Sequence, residues 1–102
     1  KSAQLLKVAL TTLLNLSLNA AVATTLSENG CAYAVISVAR ASKDNPDLLL
    51  ISLSLLDKLI DTEVENAVAS GAEAIALAAI GGHPSNNELC LVAISLLKKV
   101  SE

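Results

Sequence analysis

The chain repeats itself, and this internal repeat limits the available folds more than any other feature. Residues 30–61 align with residues 71–102 without a gap, so that Gly30 matches Gly71 and the string SLLDKL reappears as SLLKKV. A period of about 42 residues in a chain rich in Leu and Ala is typical of helical solenoids. In such folds each unit buries its apolar face against its neighbours.

A third, partial copy lies at the start of the chain. Residues 9–16 match residues 52–59, so the first connection is two residues longer than the second. The predicted units are a partial repeat over 1–19, a repeat over 20–61 and a repeat over 62–102. The expected domain is therefore a single all-α segment of about two and a third repeats.

Glycines predict where the first helix of each full unit ends. Gly30 and Gly71 occupy equivalent positions, and glycine is the preferred residue just beyond a helix C-terminus. A second helix is then expected over 31–42 in one unit and over 72–80 in the other. The sequence thus predicts two short helices before the long one.

Capping residues predict where the third, long helix of each unit begins. One copy is expected to start near Asn45, with Pro46 in the first turn. The other is expected to start near Ser85, where SNNE (85–88) has the pattern of a capping box. TEVE (62–65) has the same pattern ahead of the last unit.

The first helix contains one asparagine within an apolar run, ALTTLLNLSLN. At about 100° per residue, Asn15 lies nearly opposite the centre of the apolar stripe. Its side chain is therefore expected to point outward. The stripe expected to be buried consists of Leu6, Ala9, Leu10, Leu13 and Leu16.

Charge and hydropathy exclude two classes of partner. The net charge is −3 and the chain has no cluster of Lys and Arg, so a nucleic-acid partner is not expected. Residues 8–27 carry no charge and are long enough to cross a bilayer, but Asn15, Asn19 and several hydroxyl side chains interrupt them. A membrane partner is not expected either.

Cysteine usage and the scarcity of chemical groups predict an intracellular binding protein rather than an enzyme. Cys31 and Cys90 are expected to be reduced thiols, which favours a cytoplasmic or nuclear location. His83 is the only histidine and has no nearby nucleophile or second metal ligand in sequence. We therefore expect no catalytic residues, no metal and no cofactor.

The residues resemble those of armadillo repeats, a family whose unit of about 42 residues has one short and two longer helices. The strings ALTTLLNLSLN, LSENGC and VASGA are similar to its third-helix and first-turn patterns. The resemblance implies a right-handed superhelix in which third helices line a concave groove. It also implies that Asn15 binds the backbone of an extended peptide. HEAT repeats are the alternative fold.

Three rows of side chains are expected to cross this groove, one apolar, one of hydroxyls and one polar. The rows are Val8, Ile51 and Val92; Thr11, Ser54 and Ser95; and Asn15, Lys58 and Lys99. The last row departs from the family pattern, because two lysines stand where asparagine is expected and no tryptophans precede them. A protein or extended peptide of acidic or neutral character is the expected partner.

A second function is compatible with the same sequence. The segment could be a structural part of a larger scaffold or regulatory protein, such as the armadillo portion of a U-box ubiquitin ligase. Neither end has the polar capping repeat that solenoids normally need. We therefore expect the isolated segment to associate with itself.

Overall fold

The structure is a computed structural model that describes residues 3–60 and 66–100. Within these ranges the secondary structure is entirely helical, as the sequence predicts, and the fold class is all-α. The helices are α1 (Ala3–Leu16), α2 (Ala20–Glu28), α3 (Cys31–Ala41), α4 (Pro46–Leu59), α5 (Asn66–Gly82) and α6 (Asn87–Val100).

The two long C-terminal helices of the units begin at equivalent asparagines. Asn45 caps α4, since its side chain accepts a hydrogen bond from the Leu48 amide at 3.2 Å, and Pro46 follows it. Asn86, the equivalent residue of the next unit, accepts from the Leu89 amide at 3.1 Å and caps α6. The prediction for Asn45 is confirmed. The predicted start at Ser85 is one residue early, because the Asn86 side chain reaches the third amide of the helix. The other predicted box, 62–65, lies outside the described residues.

Gly30 and Gly71 play different roles despite their equivalent positions. Gly30 has a φ of 81° and ends the turn between α2 and α3, as predicted. Gly71 lies inside α5, and the predicted break at this residue is wrong. The surrounding alanines favour a continuous helix. A Cβ at Gly71 would lie 3.1 Å from Ile36 Cδ1, so this glycine lets α5 approach α3 closely.

The helices pack in two layers. In the first layer α1 contacts α4 and α4 contacts α6, so these three helices lie side by side in that order. In the second layer α2 contacts α3 and α3 contacts α5, while α3 and α5 also pack against α4 and α5 packs against α6. Helix α4 therefore has neighbours on both sides and behind it.

This central position makes α4 the core of the molecule. Five of its leucines are almost completely inaccessible to solvent, and α6 adds two more. Burying one such side chain stabilises the fold by about 1.5–3 kcal/mol. Alanines on α3 and α5 fill the space between the layers. The fully buried leucines are Leu49, Leu53, Leu55, Leu56, Leu59, Leu89 and Leu96.

The buried side of α1 is narrower than the sequence predicts. Leu10 is buried and Leu6 and Leu13 are partly buried, as expected. However, Ala9 is exposed and Leu16 is 49% exposed. The physical reason is that α1 packs against α4 on one side, and no described helix covers its other side.

Candidate partner-binding face

The nine residues predicted to bind a partner all lie on α1, α4 and α6, the three helices of the first layer. We call this set the α1–α4–α6 face. None of the nine is buried: four are exposed and five are half-buried. The exposed residues are Val8, Thr11, Asn15 and Ser95, and the half-buried ones are Ile51, Ser54, Lys58, Val92 and Lys99.

The α1 part of the face is the most accessible. Asn15 is exposed, as its position opposite the buried stripe predicts. Its amide can donate and accept at the same time, which suits a peptide group. Val8, at 53% exposure, and Thr11 accompany it on the same side of the helix.

The apolar row is uneven across the three helices. Ile51 and Val92 pack against the edge of the hydrophobic core, which gives each of them a structural role. Val8, in contrast, is 53% exposed to solvent. Val8 is thus the member of this row with most surface left for a partner.

Asp57, which neither the repeat nor the helical spacing singles out, joins the α4 and α6 parts of the face. Its carboxylate accepts a hydrogen bond from Ser95 Oγ at 3.3 Å and forms an ion pair with Lys99 Nζ at 3.2 Å. The Asp57 carbonyl oxygen also accepts from Lys99 Nζ at 2.8 Å. The repeat alignment places Asp57 opposite Lys98, so alignment alone gave no sign of these contacts across neighbouring helices.

These contacts change the electrostatics of the polar row. The charge of Lys99 is balanced by Asp57, and both side chains are less than one-third exposed. Lys58 has no ion pair within the described part of the chain. The three members of the row are therefore not equivalent, and the unbalanced positive charge is concentrated at Lys58.

Three side chains that could carry chemistry, His83, Cys31 and Cys90, lie outside the nine residues of the partner-binding face. His83 Nε2 lies 2.9 Å from the Lys43 carbonyl oxygen and connects two loops. Cys31 and Cys90 are free, half-buried thiols, and burial raises the pKa of Cys31. A shallow depression at residues 82–87 contains none of the nine predicted residues.

Neither a metal cluster nor a membrane-spanning helix is present among the residues that the structure describes. No three His, Cys, Asp or Glu side chains in these ranges come together in a way that could hold a metal ion. None of the described helices combines the length and the apolar character needed to cross a bilayer.

Comparisons with protein-family models, with curated proteins and with solved structures gave no match to this chain. The internal repeat and the helix packing are therefore the observations that bear on its function.

Proposed function

We propose that this chain is an armadillo-type interaction module that binds an extended peptide, or an extended segment of a partner protein, along the α1–α4–α6 face. The observation that carries the proposal is the placement of the nine residues. They lie at equivalent repeat positions on three helices that pack side by side, with α4 between α1 and α6. Every one of the nine is at least partly open to solvent. A ligand crossing the three helices would meet the rows one after another.

The repeat and the side-by-side order of α1, α4 and α6 support a stack of such units, and the proposed right-handed superhelix is what the resemblance to armadillo repeats implies. The unit over 20–61 has the three helices typical of armadillo repeats, α2, α3 and α4. The described part of the last unit has two, α5 and α6, as HEAT repeats do. Both forms are compatible with the proposed helical solenoid, because each stacks its helices on those of the neighbouring unit.

The chemistry of the face favours an acidic or neutral partner. Asn15 offers a donor and an acceptor to a backbone amide. Lys58 offers a positive charge that a carboxylate on the ligand would balance, whereas a basic ligand would be repelled. Val8 adds an accessible apolar surface beside them.

A peptide selection tests this function. Random extended peptides are displayed and selected on the parent chain, and the enriched peptides are then titrated by fluorescence anisotropy. The test variant is Asn15→Ala/Lys58→Ala. The control is Ser37→Ala/Lys43→Ala, which removes one polar side chain and one lysine from exposed positions on α3 and its following loop.

The expected result is a loss of about tenfold or more in affinity for the test variant, because two hydrogen bonds of about 1 kcal/mol each are lost. The control should bind as the parent does. Enriched peptides that bind both variants equally would show that the ligand lies elsewhere. No enrichment at all would favour the second function, a structural segment without a ligand of its own.

A further inference from the structure

At the two ends of the α1–α4–α6 row, exposed and mostly apolar residues have repeat equivalents that are buried or partly buried inside this same chain. We define the leading face by exposed residues of α1 and the trailing face by exposed residues of α6. The leading face consists of Leu5, Ala9, Thr12 and Leu16. The trailing face consists of Leu91 and Ile94.

The leading face has buried counterparts on α4. Leu5 is 65% exposed, whereas the equivalent Leu48 is 3% exposed. Leu16 is 49% exposed, whereas the equivalent Leu59 is fully buried. The difference follows from the packing, since α4 has a helix on each side of it and α1 has one on a single side.

The trailing face has buried counterparts one repeat earlier. Ile94 is 55% exposed, and the equivalent Leu53 on α4 is fully buried. Leu91 is 68% exposed, and the equivalent Leu50 on α4 is partly buried against the hydrophobic core.

The surfaces that would cover each face therefore already exist in the chain. A helix in the position of α6, relative to α4, covers a trailing face, and a helix in the position of α1 covers a leading face. A second copy placed with its α1 against α6 of the first would repeat this packing. Its leading and trailing faces would then be buried against each other.

The polar residues at the proposed contact between α6 of one copy and α1 of the next correspond to those that join α4 to α6 within the chain. Within the chain, Asp57 of α4 pairs with Lys99 and Ser95 of α6. The repeat alignment puts Lys98 in the place of Asp57 at the trailing end. It puts Asn15 in the place of Lys99 at the leading end.

The replacement of Asp57 by Lys98 is accompanied by the replacement of Lys99 by Asn15. A lysine at position 15 would face Lys98 of the other copy with a like charge. The Asn15 amide oxygen instead accepts a hydrogen bond from an ammonium group. Thr11, in the place of Ser95, adds a second acceptor.

We infer that the trailing face of one copy binds the leading face of another, with Lys98 of the first beside Asn15 of the second. The contact joins two different surfaces, so it is head-to-tail, and repeated addition extends the row of helices. Asn15 and Thr11 belong both to this contact and to the partner-binding face, whereas Ile94 and Lys98 lie outside the nine residues of that face. Substitution of Ile94 therefore tests the association separately from peptide binding.

Sedimentation velocity over a concentration series tests the apolar part of the contact. Ile94→Glu places a charge in the trailing face and should weaken association at least about tenfold. Tyr33→Glu is the matched control, because it places the same charge at another exposed apolar position. Tyr33 is 46% exposed and lies on α3, outside the leading and trailing faces, and α5 packs beside that helix. The control variant should associate as the parent does.

A charge exchange tests the pairing itself. Asn15→Lys should weaken association several-fold, because two lysines then face each other. The double variant Asn15→Lys/Lys98→Asp recreates the pair that joins α4 to α6 and should restore it. Both positions are exposed, so the helices should fold in every variant, which circular dichroism checks.

Growth of the oligomer with concentration, loss with Asn15→Lys and recovery in the double variant together support the inference. A strict monomer at all concentrations would overturn it. Association of equal strength in the parent, Asn15→Lys and the double variant would overturn it as well. So would a dimer that does not grow with concentration, because a head-to-tail contact does not close in a pair.

Discussion

The ammonium group of Lys99 lies 3.2 Å from the carboxylate of Asp57 and 2.8 Å from the carbonyl oxygen of the same residue. One side chain of α6 is thus bound to α4 at two points, and one of these is the main chain of the neighbouring repeat. The interaction fixes the relative position of two helices that both contribute to the proposed binding face.

Lys99→Met should destabilise the protein by about 1 kcal/mol, because it removes a charge-assisted hydrogen bond and a partly exposed ion pair. Urea unfolding monitored by circular dichroism measures the change. Lys43→Met removes an equal charge from an exposed loop position and should have no measurable effect. Equal losses in both variants would mean that net charge, and not the contact with Asp57, accounts for the difference.

Ser52→Ala should stabilise the protein, by about 1 kcal/mol or more. Ser52 is fully buried, and its hydroxyl has no hydrogen-bond partner within the described structure. A buried polar group without a partner costs about 1–3 kcal/mol. The equivalent residue on α6 is Ala93, which is also fully buried. Thermal and urea unfolding check the sign, and a lower stability would show that the hydroxyl does have a partner.

The glycines should respond differently to substitution. Gly81→Ala should stabilise α5 by about 0.5–1 kcal/mol, because alanine favours the helix and nothing lies within 4 Å of the added Cβ. Gly30→Ala should destabilise by about 1 kcal/mol, because its φ of 81° disfavours a side chain. Gly71→Val should cost about 1–3 kcal/mol through its contact with Ile36. Unfolding free energies with the same sign in all three variants would contradict these assignments.

The start of α6 can be tested by two neighbouring substitutions. Asn86→Ala should cost about 1 kcal/mol, because its side chain accepts a hydrogen bond from the Leu89 amide. Ser85→Ala should cost less than about 0.5 kcal/mol, because Ser85 is exposed and lies one residue before the cap. A larger loss of unfolding free energy in Ser85→Ala than in Asn86→Ala would show that Ser85 is the cap of α6.

The thiol of Cys31 should react slowly with alkylating reagents at neutral pH. Burial raises the pKa of this thiol, so the folded protein holds its proton to a higher pH than the unfolded chain does. Stability contributed by this difference is complete below the unfolded pKa and is lost as the pH rises through the folded one. Alkylation of the Cys90→Ser variant across a pH series measures the midpoint. A midpoint at or below that of the urea-unfolded chain would contradict the shift.

The repeat and the capping residues predicted most of the local structure. Asn45, Pro46 and Gly30 each act through their own backbone neighbourhood, and each boundary lies at or next to the predicted position. Gly71 shows the limit of such reasoning. The same residue type at the same repeat position ends no helix there, because its role is set by Ile36 on another helix.

The sequence also predicted only part of the α1–α4–α6 face. Helical spacing was enough to place Asn15 in solvent, because that orientation depends on one helix alone. The contact between Asp57 and Lys99 could not be predicted, because it depends on how far neighbouring helices are displaced along each other. A repeat alignment pairs equivalent residues and does not show which ones touch.

The sequence alone determined the helical class, the repeat, the boundaries at Asn45 and Gly30 and the outward direction of Asn15, since these depend on interactions within a few residues. The tertiary structure decided which lysine keeps an unbalanced charge, why Gly71 is a glycine and which apolar residues at the two ends stay exposed. Those properties depend on distances between helices, and such distances are set only when the helices pack.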